Sequence, residues 1–330
     1  MAEPKTFRPK SFPPPQFPPR RPALFARMPP AVFPVIMGIL GLGLALRRGL
    51  VFLDMPPGIA EILLGAAVAL WLFAAFGYAV KLARRPAVLL EDMRILPGRA
   101  GLAAAVLGLM LVAAALVPYA PGLARGLLVA GLALHAALAA LVLRLFFAAP
   151  PEAREITPVW HLQFVGFIIG ALAALLLGDR LIAQLILFST LAPAWLIWIV
   201  SARQLIRRIP PAPLRPLLAI HLAPASLFAT VAAGLQLPLL ASAMAGLAGV
   251  IFLGLLLSVR WLTVAGFSAL WGAFTFPLAA FASALYAVGL GWAGSLVLAL
   301  ALAAIPLIAW KVFTAWAKGG LAAKTNAAEA

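Results

Sequence analysis

Nine carboxylates are all the acid in this 330-residue chain, and none is placed to do chemistry inside an apolar core. Glu3, Asp54, Glu61, Glu91, Asp92, Glu152, Glu155, Asp179 and Glu329 fall in tails, loops or the first turn of an apolar stretch. A proton relay or a Na⁺ site within a bilayer needs an ionisable group at depth, where charge is expensive and retained for function. An ion-coupled pump is therefore disfavoured. Cysteine is absent, which excludes disulfides and thiolate metal sites. There is no Walker phosphate loop, no HExxH helix and no serine nucleophile elbow. The three histidines, His135, His161 and His221, are too scattered to argue for a metal. The chain reads as a non-enzyme without cofactor or metal.

What the remaining residues can do is line a path. Trp261 to Gly289, WLTVAGFSALWGAFTFPLAAFASALYAVG, is long enough to cross a bilayer, which takes about 20 helical residues. Pro277 removes a backbone donor in mid-span and predicts a kink near Phe274 to Phe276. Ser268, Gly272, Ala273, Thr275 and Ser283 leave one side slim and mildly polar. Two readings stand: a kinked helix packed through small residues, or a pore-lining helix with an aromatic constriction. An apolar, charge-free constriction gates by dewetting, and its ring must move for an ion to pass. Helix ends at proline breaks offer N–H groups to an anion, a weak bias toward anions over cations.

The elements that position this stretch follow a regular beat. Hydrophobic residues make up 65% of the chain and charged ones 10%, against about 25% charged in soluble domains; this is a polytopic, all-α membrane protein. Ten spans are expected, at 30–46, 57–80, 100–118, 122–147, 159–177, 181–201, 217–234, 238–258, 263–288 and 292–316. They pair into five hairpins turning at short loops. With both termini cytoplasmic, 21 of the 25 Lys and Arg fall on inside segments, leaving Arg47, Arg48, Arg125 and Arg180 outside. That bias is a positive-inside signal, and it accounts for the +16 net charge without a nucleic-acid partner. Three odd spans, the first, seventh and ninth, carry internal prolines (Pro34, Pro224, Pro277) and the third and fifth do not, whereas even spans are mostly plain Leu, Ala and Val, suited to a lipid-facing layer, with Pro193 in the sixth as the exception. Residues 1–28 read as a disordered, Pro-rich, basic cytoplasmic tail, 29–318 as the ten-helix domain, and 319–330 as a short cytoplasmic tail. No signal peptide is apparent.

His135, in the fourth span, reads either as a hydrogen-bonding partner for a neighbouring helix or as a pore or proton group. His161 and His221, near the cytoplasmic starts of two odd spans, group with Arg144, Arg203, Arg207 and Arg215 either as a basic inner vestibule that concentrates anions or as simple positive-inside bias.

FPVIMGILGLGLA in the first span, LAPAS at 222–226 and WGAFTFPLA at 271–279 resemble the tellurite-resistance/dicarboxylate transporter family, which includes bacterial TehA and the slow anion channels of plant guard cells. The likeness covers about 29–318. It implies five helical hairpins in a ring around a central pore, odd spans inside and even spans outside, assembled as a homotrimer in a bacterial inner membrane. It also implies a phenylalanine gate on the ninth span, which maps to Phe276, with Phe33, Pro34, Gly38, Pro224, Ser226, Phe228, Phe274, Thr275 and Pro277 lining or kinking the pore. Two departures are Gly272, an extra residue after Trp271, and Pro34, where relatives tend to have glycine. The implied activity is an anion channel or facilitative transporter for chloride, nitrate or oxyanions such as tellurite. The alternatives are a proton-linked dicarboxylate carrier or toxic-compound exporter, and a sensory protein docking through its Pro-rich tail.

Overall fold

The computed structural model describes residues 23–151 and 154–330; the expectation of a disordered tail falls outside them for 1–22. From Phe25 onward the chain packs against the helices. Ala26 and Met28 are buried, and the Phe25 ring meets Phe73 and Phe76 edge-on at 5.7 and 5.9 Å.

Five hairpins follow. Helix α1 (Phe33–Phe52) pairs with α2 (Gly58–Arg84), and the short α3 (Val88–Arg94) leads into α4 (Leu96–Leu116) and α5 (Pro121–Ala148). Helix α6 (Phe167–Leu176) pairs with α7 (Arg180–Arg207), and α8 (Leu222–Gly234) with α9 (Pro238–Leu257). After the single turn of α10 (Val259–Leu262), α11 (Thr275–Ala287) pairs with α12 (Gly291–Ala317), and α13 (Gly320–Lys324) ends the helical chain. Among the described residues nine helical segments are long and apolar enough to cross a membrane, with His161–Leu176 as a shorter tenth. The ten expected spans are all helical, but their edges differ. The first runs on to Phe52 and so takes in Arg47 and Arg48, because Arg47 is neutralised by Glu61 in the first turn of α2.

Burial alternates strictly with chain order. Most of each inner segment is buried, whereas α2, α5, α7 and α9 bury less than a third of their apolar windows. Their outward faces carry Leu72, Phe76, Leu196, Leu253 and, on α12, Trp310, apolar surface of the kind that faces hydrocarbon. The inner helices close a ring: α1 packs on α4 and α11, α11 on α8, α8 on α6, and α6 on α4.

The distal turns, at the end of the ring away from both described chain ends, share one device. Asp54, Gly178, Gln236 and Gly289 have positive φ. In each case the next residue's N–H bonds a carbonyl five positions back: Met55 to Leu50, Asp179 to Ala174, Leu237 to Ala232 and Leu290 to Leu285. This is the Schellman closure that satisfies a helix's last carbonyls. Both described chain ends lie at the opposite, proximal end. Ala330 N–H donates to the Ala26 carbonyl and Arg27 pairs with Glu329. There the fully buried Lys81 pairs with Asp92 at 2.8 Å, and Asp92 also takes bonds from Tyr78 and from the Ala328 N–H. The expected C-terminal tail is thus fastened to α3.

The expected mid-span kinks take a different form. Pro34, Pro224 and Pro277 sit in the first turns of α1, α8 and α11, after 3₁₀ segments at Pro30–Val32, Ala212–His221 and Ala269–Phe274. In a first turn the missing N–H has no intrahelical acceptor to lose, so proline starts these helices instead of bending them. The fifth span achieves the same break without proline, through a π-turn at His161–Val165.

Candidate functional site

Each inner segment turns one 3–4-spaced stripe toward the ring axis. On α1 the stripe is Pro34, Met37, Gly41, Leu44 and Arg48; on α4 and its lead-in it is Pro97, Ala100, Ala104, Leu107 and Leu111. Leu162, Ile169, Leu172 and Leu176 continue it from the fifth span, Ala223, Leu227 and Thr230 from α8, and Ala273, Phe276, Ala280 and Ser283 from the ninth. Together they line a proximal recess with a cavity of about 40 Å³ and a distal one of about 110 Å³. A smaller void of about 20 Å³ lies between them, against the fifth and seventh spans.

Phe276 lines all three spaces and is itself only 2% exposed. Its ring packs against α1: a Cβ on Gly41 would stand 2.8 Å from Phe276 Cδ2. Gly38, one turn earlier, leaves room for the Thr275 side chain, whose hydroxyl donates to the carbonyls of Gly272 (2.7 Å) and Pro34 (3.2 Å). The ring is therefore held from behind by the α1–α11 contact, with open space on both axial sides.

The other sequence-derived positions divide. Pro34 and Pro277 line the proximal recess and Pro224 the small void. Phe33, Ser226 and Phe228 do not face the axis. Phe33 is buried in the packing core, the Ser226 hydroxyl bonds back to the Leu222 carbonyl at 2.8 Å, and Phe228 points outward to Trp198. Phe274 is half-buried and stacks edge-on with Trp271. The backbone donors expected at the breaks are also occupied: the N–H groups of Leu222 and Thr275 bond the Ala219 and Gly272 carbonyls of their own 3₁₀ lead-ins.

The basic vestibule does not assemble. Arg144, Arg203 and Arg207 are exposed on α5 and α7, and Arg215 caps the Pro210 and Trp261 carbonyls while lying over the Trp261 ring at 4.4 Å. Of the expected group only the histidines come together: His161 Nε2 meets His221 Nδ1 at 2.9 Å beside Trp198. His135 is fully buried and edge-on to Phe167 at 4.5 Å; neither ring nitrogen has a hydrogen-bond partner among the described residues. Among those residues no group of three metal-ligating side chains forms.

One charged contributor to the lumen was read from sequence only as an outer loop cation. Arg48 lines the distal recess together with Arg47. The signal was its spacing: Arg48 continues the Gly41–Leu44 stripe one turn further.

A closed ring of five apolar helices, sheathed by five more and enclosing stacked recesses, defines a multi-pass membrane protein built around an axial conduit. Residues 27–316 match the family model for the voltage-dependent anion channel, SLAC1, and the chain belongs to that family. No curated protein matches it.

Proposed function

We propose that the chain is a gated, passive pathway for small anions, with Phe276 as the gate, set in a bacterial cytoplasmic membrane with both termini cytoplasmic. The observation that carries this is the placement of one buried aromatic ring between proximal and distal recesses lined by all five inner segments. Such a ring blocks water continuity while closed and needs only a side-chain rotation to open. The recesses carry no carboxylate among their linings, which favours anions and leaves a proton-linked dicarboxylate carrier or exporter without a coupling group. Chloride, nitrate and oxyanions such as tellurite are the substrate class. Assembly is as a homotrimer, the arrangement implied by the family resemblance; mass measurement in nanodiscs tests it.

Purified protein in liposomes decides between the classes. Anion flux independent of a proton gradient is the expected result. Saturable flux that requires the gradient would establish the carrier and remove the channel reading.

A further inference from the structure

The proximal recess is lined by apolar residues alone. The distal recess adds Arg47, Arg48, Thr230 and Ser283 to its walls of leucine and alanine. Four arginines lie at the distal end, and three of them are spoken for. Arg47 forms a bidentate pair with Glu61 (2.7 Å on both arms), and the same carboxylate accepts the Tyr119 hydroxyl at 2.8 Å. Arg125 pairs with Asp179, and Arg180 donates to the Gly234 and Leu235 carbonyls. Arg48, which is half-buried, has neither a salt bridge nor a hydrogen bond among the described residues.

The nearest acid cannot serve it. Glu61 is already engaged by Arg47 and Tyr119, and Asp54 sits exposed in the turn outside the recess. A bound anion supplies the half-buried Arg48 with the counter-charge that no carboxylate of the chain gives it among the described residues. Of the two hydroxyls, Thr230 spends its proton on the Ser226 carbonyl at 3.0 Å, whereas Ser283 makes no hydrogen bond among the described residues and is left to donate.

We infer that Arg48 and Ser283 form an anion-binding site in the distal recess, selective for small, weakly hydrated monovalent anions such as halide or nitrate. The inference deepens the anion-pathway reading above and rests on it for its transport consequence. One uncompensated charge matches one negative charge, and the leucine and alanine walls supply no further donors to replace the water of sulfate or a dicarboxylate. The site sits beyond Phe276 as seen from the chain ends, so it loads the anion on the distal side of the gate.

Two measurements on detergent-purified and reconstituted full-length protein test this. The first is ³⁵Cl line broadening by wild type, Arg48→Gln, Arg48→Lys and Ser283→Ala. The second is chloride flux of the same proteins in liposomes. Wild type should broaden the resonance in competition with nitrate but not sulfate, and Arg48→Gln should lose the effect while Arg48→Lys keeps part of it. Flux at low chloride should fall about tenfold in Arg48→Gln, the lower end of electrostatic focusing, and the deficit should shrink at high salt. Wild-type flux with unchanged broadening and flux in Arg48→Gln would overturn the site and leave the channel reading standing. No wild-type flux, with broadening that still depends on Arg48, would overturn the channel reading and keep the site. A melting temperature near wild type in Arg48→Lys separates loss of the site from loss of the fold.

Discussion

Truncating Phe276 to alanine should raise anion flux by an amount that its burial sets. The side chain is 2% exposed, and fully burying a phenylalanine contributes about 1.5–3 kcal/mol. Swinging the ring out of its seat against Gly41 and into a wetted recess gives up about that much. At about 1.4 kcal/mol per decade, the ring-open population is then roughly one in ten to one in a hundred. Phe276→Ala removes the closed state, so flux at a fixed number of reconstituted proteins should rise roughly tenfold to hundredfold. Stability should fall by about 3 kcal/mol, the low end for Phe→Ala, because the new void merges with recesses on both sides and does not seal. Phe276→Leu keeps an apolar plug and should give a much smaller rise. The assay is chloride efflux from liposomes with the melting temperature measured in parallel. Normal insertion with unchanged efflux would refute the gate, since no other side chain lines all three spaces.

Three further changes probe the frame around that ring. Gly41→Ala places a methyl 2.8 Å from Phe276 Cδ2, so it should destabilise by about 1–3 kcal/mol in wild type and by little in the Phe276→Ala background. Equal costs in both backgrounds, read by a double-mutant cycle on melting curves, would show that the two do not touch. Gly289→Ala meets no neighbouring atom, but its φ of +82° should cost about 1–2 kcal/mol from backbone strain alone. Asp92→Ala strands Lys81 in a fully buried site and should cost about 3–5 kcal/mol, while Lys81→Met with Asp92→Leu recovers most of it; chemical denaturation of the detergent-solubilised protein separates these outcomes.

Hairpin number and the alternation of buried and exposed helices are visible in the sequence, because each depends on apolar patterning that a helix's period exposes, whereas Phe276 is singled out by the family resemblance. The inward stripes are equally periodic once a single anchor such as Gly41 is fixed. Conformation inside the spans is less legible. Prolines signal a break at Pro34, Pro224 and Pro277, but a proline in a first turn and one in mid-helix look alike in sequence. The lead-in to α6 breaks without one. Polar partnerships across the ring were hidden for a different reason. His161 and His221 meet only because the fifth and seventh spans are neighbours, and Arg47 differs from Arg48 only in that one of them finds Glu61. Gly272 and Pro34 lie against each other across the ninth and first spans: a Cβ on Gly272 would lie 3.1 Å from Pro34 Cβ.

The ring is regular at one end and irregular at the other, and that asymmetry bears on how it can open. Distally, four of the five turns are locked by a left-handed residue and a Schellman bond. Proximally, the first, fifth, seventh and ninth spans enter through 3₁₀ or π segments, whose weaker hydrogen-bond geometry yields more readily than an α-helix. Phe276 is the second residue of α11, at the junction between the two regimes. A small change in the 3₁₀ turn Ala269–Phe274 therefore re-aims the ring without disturbing the distal half, where Arg48 is fixed. With Phe276 as the proposed gate and Arg48 in the proposed anion site, a mutation that stiffens the proximal lead-in should slow opening while leaving anion binding at Arg48 unchanged.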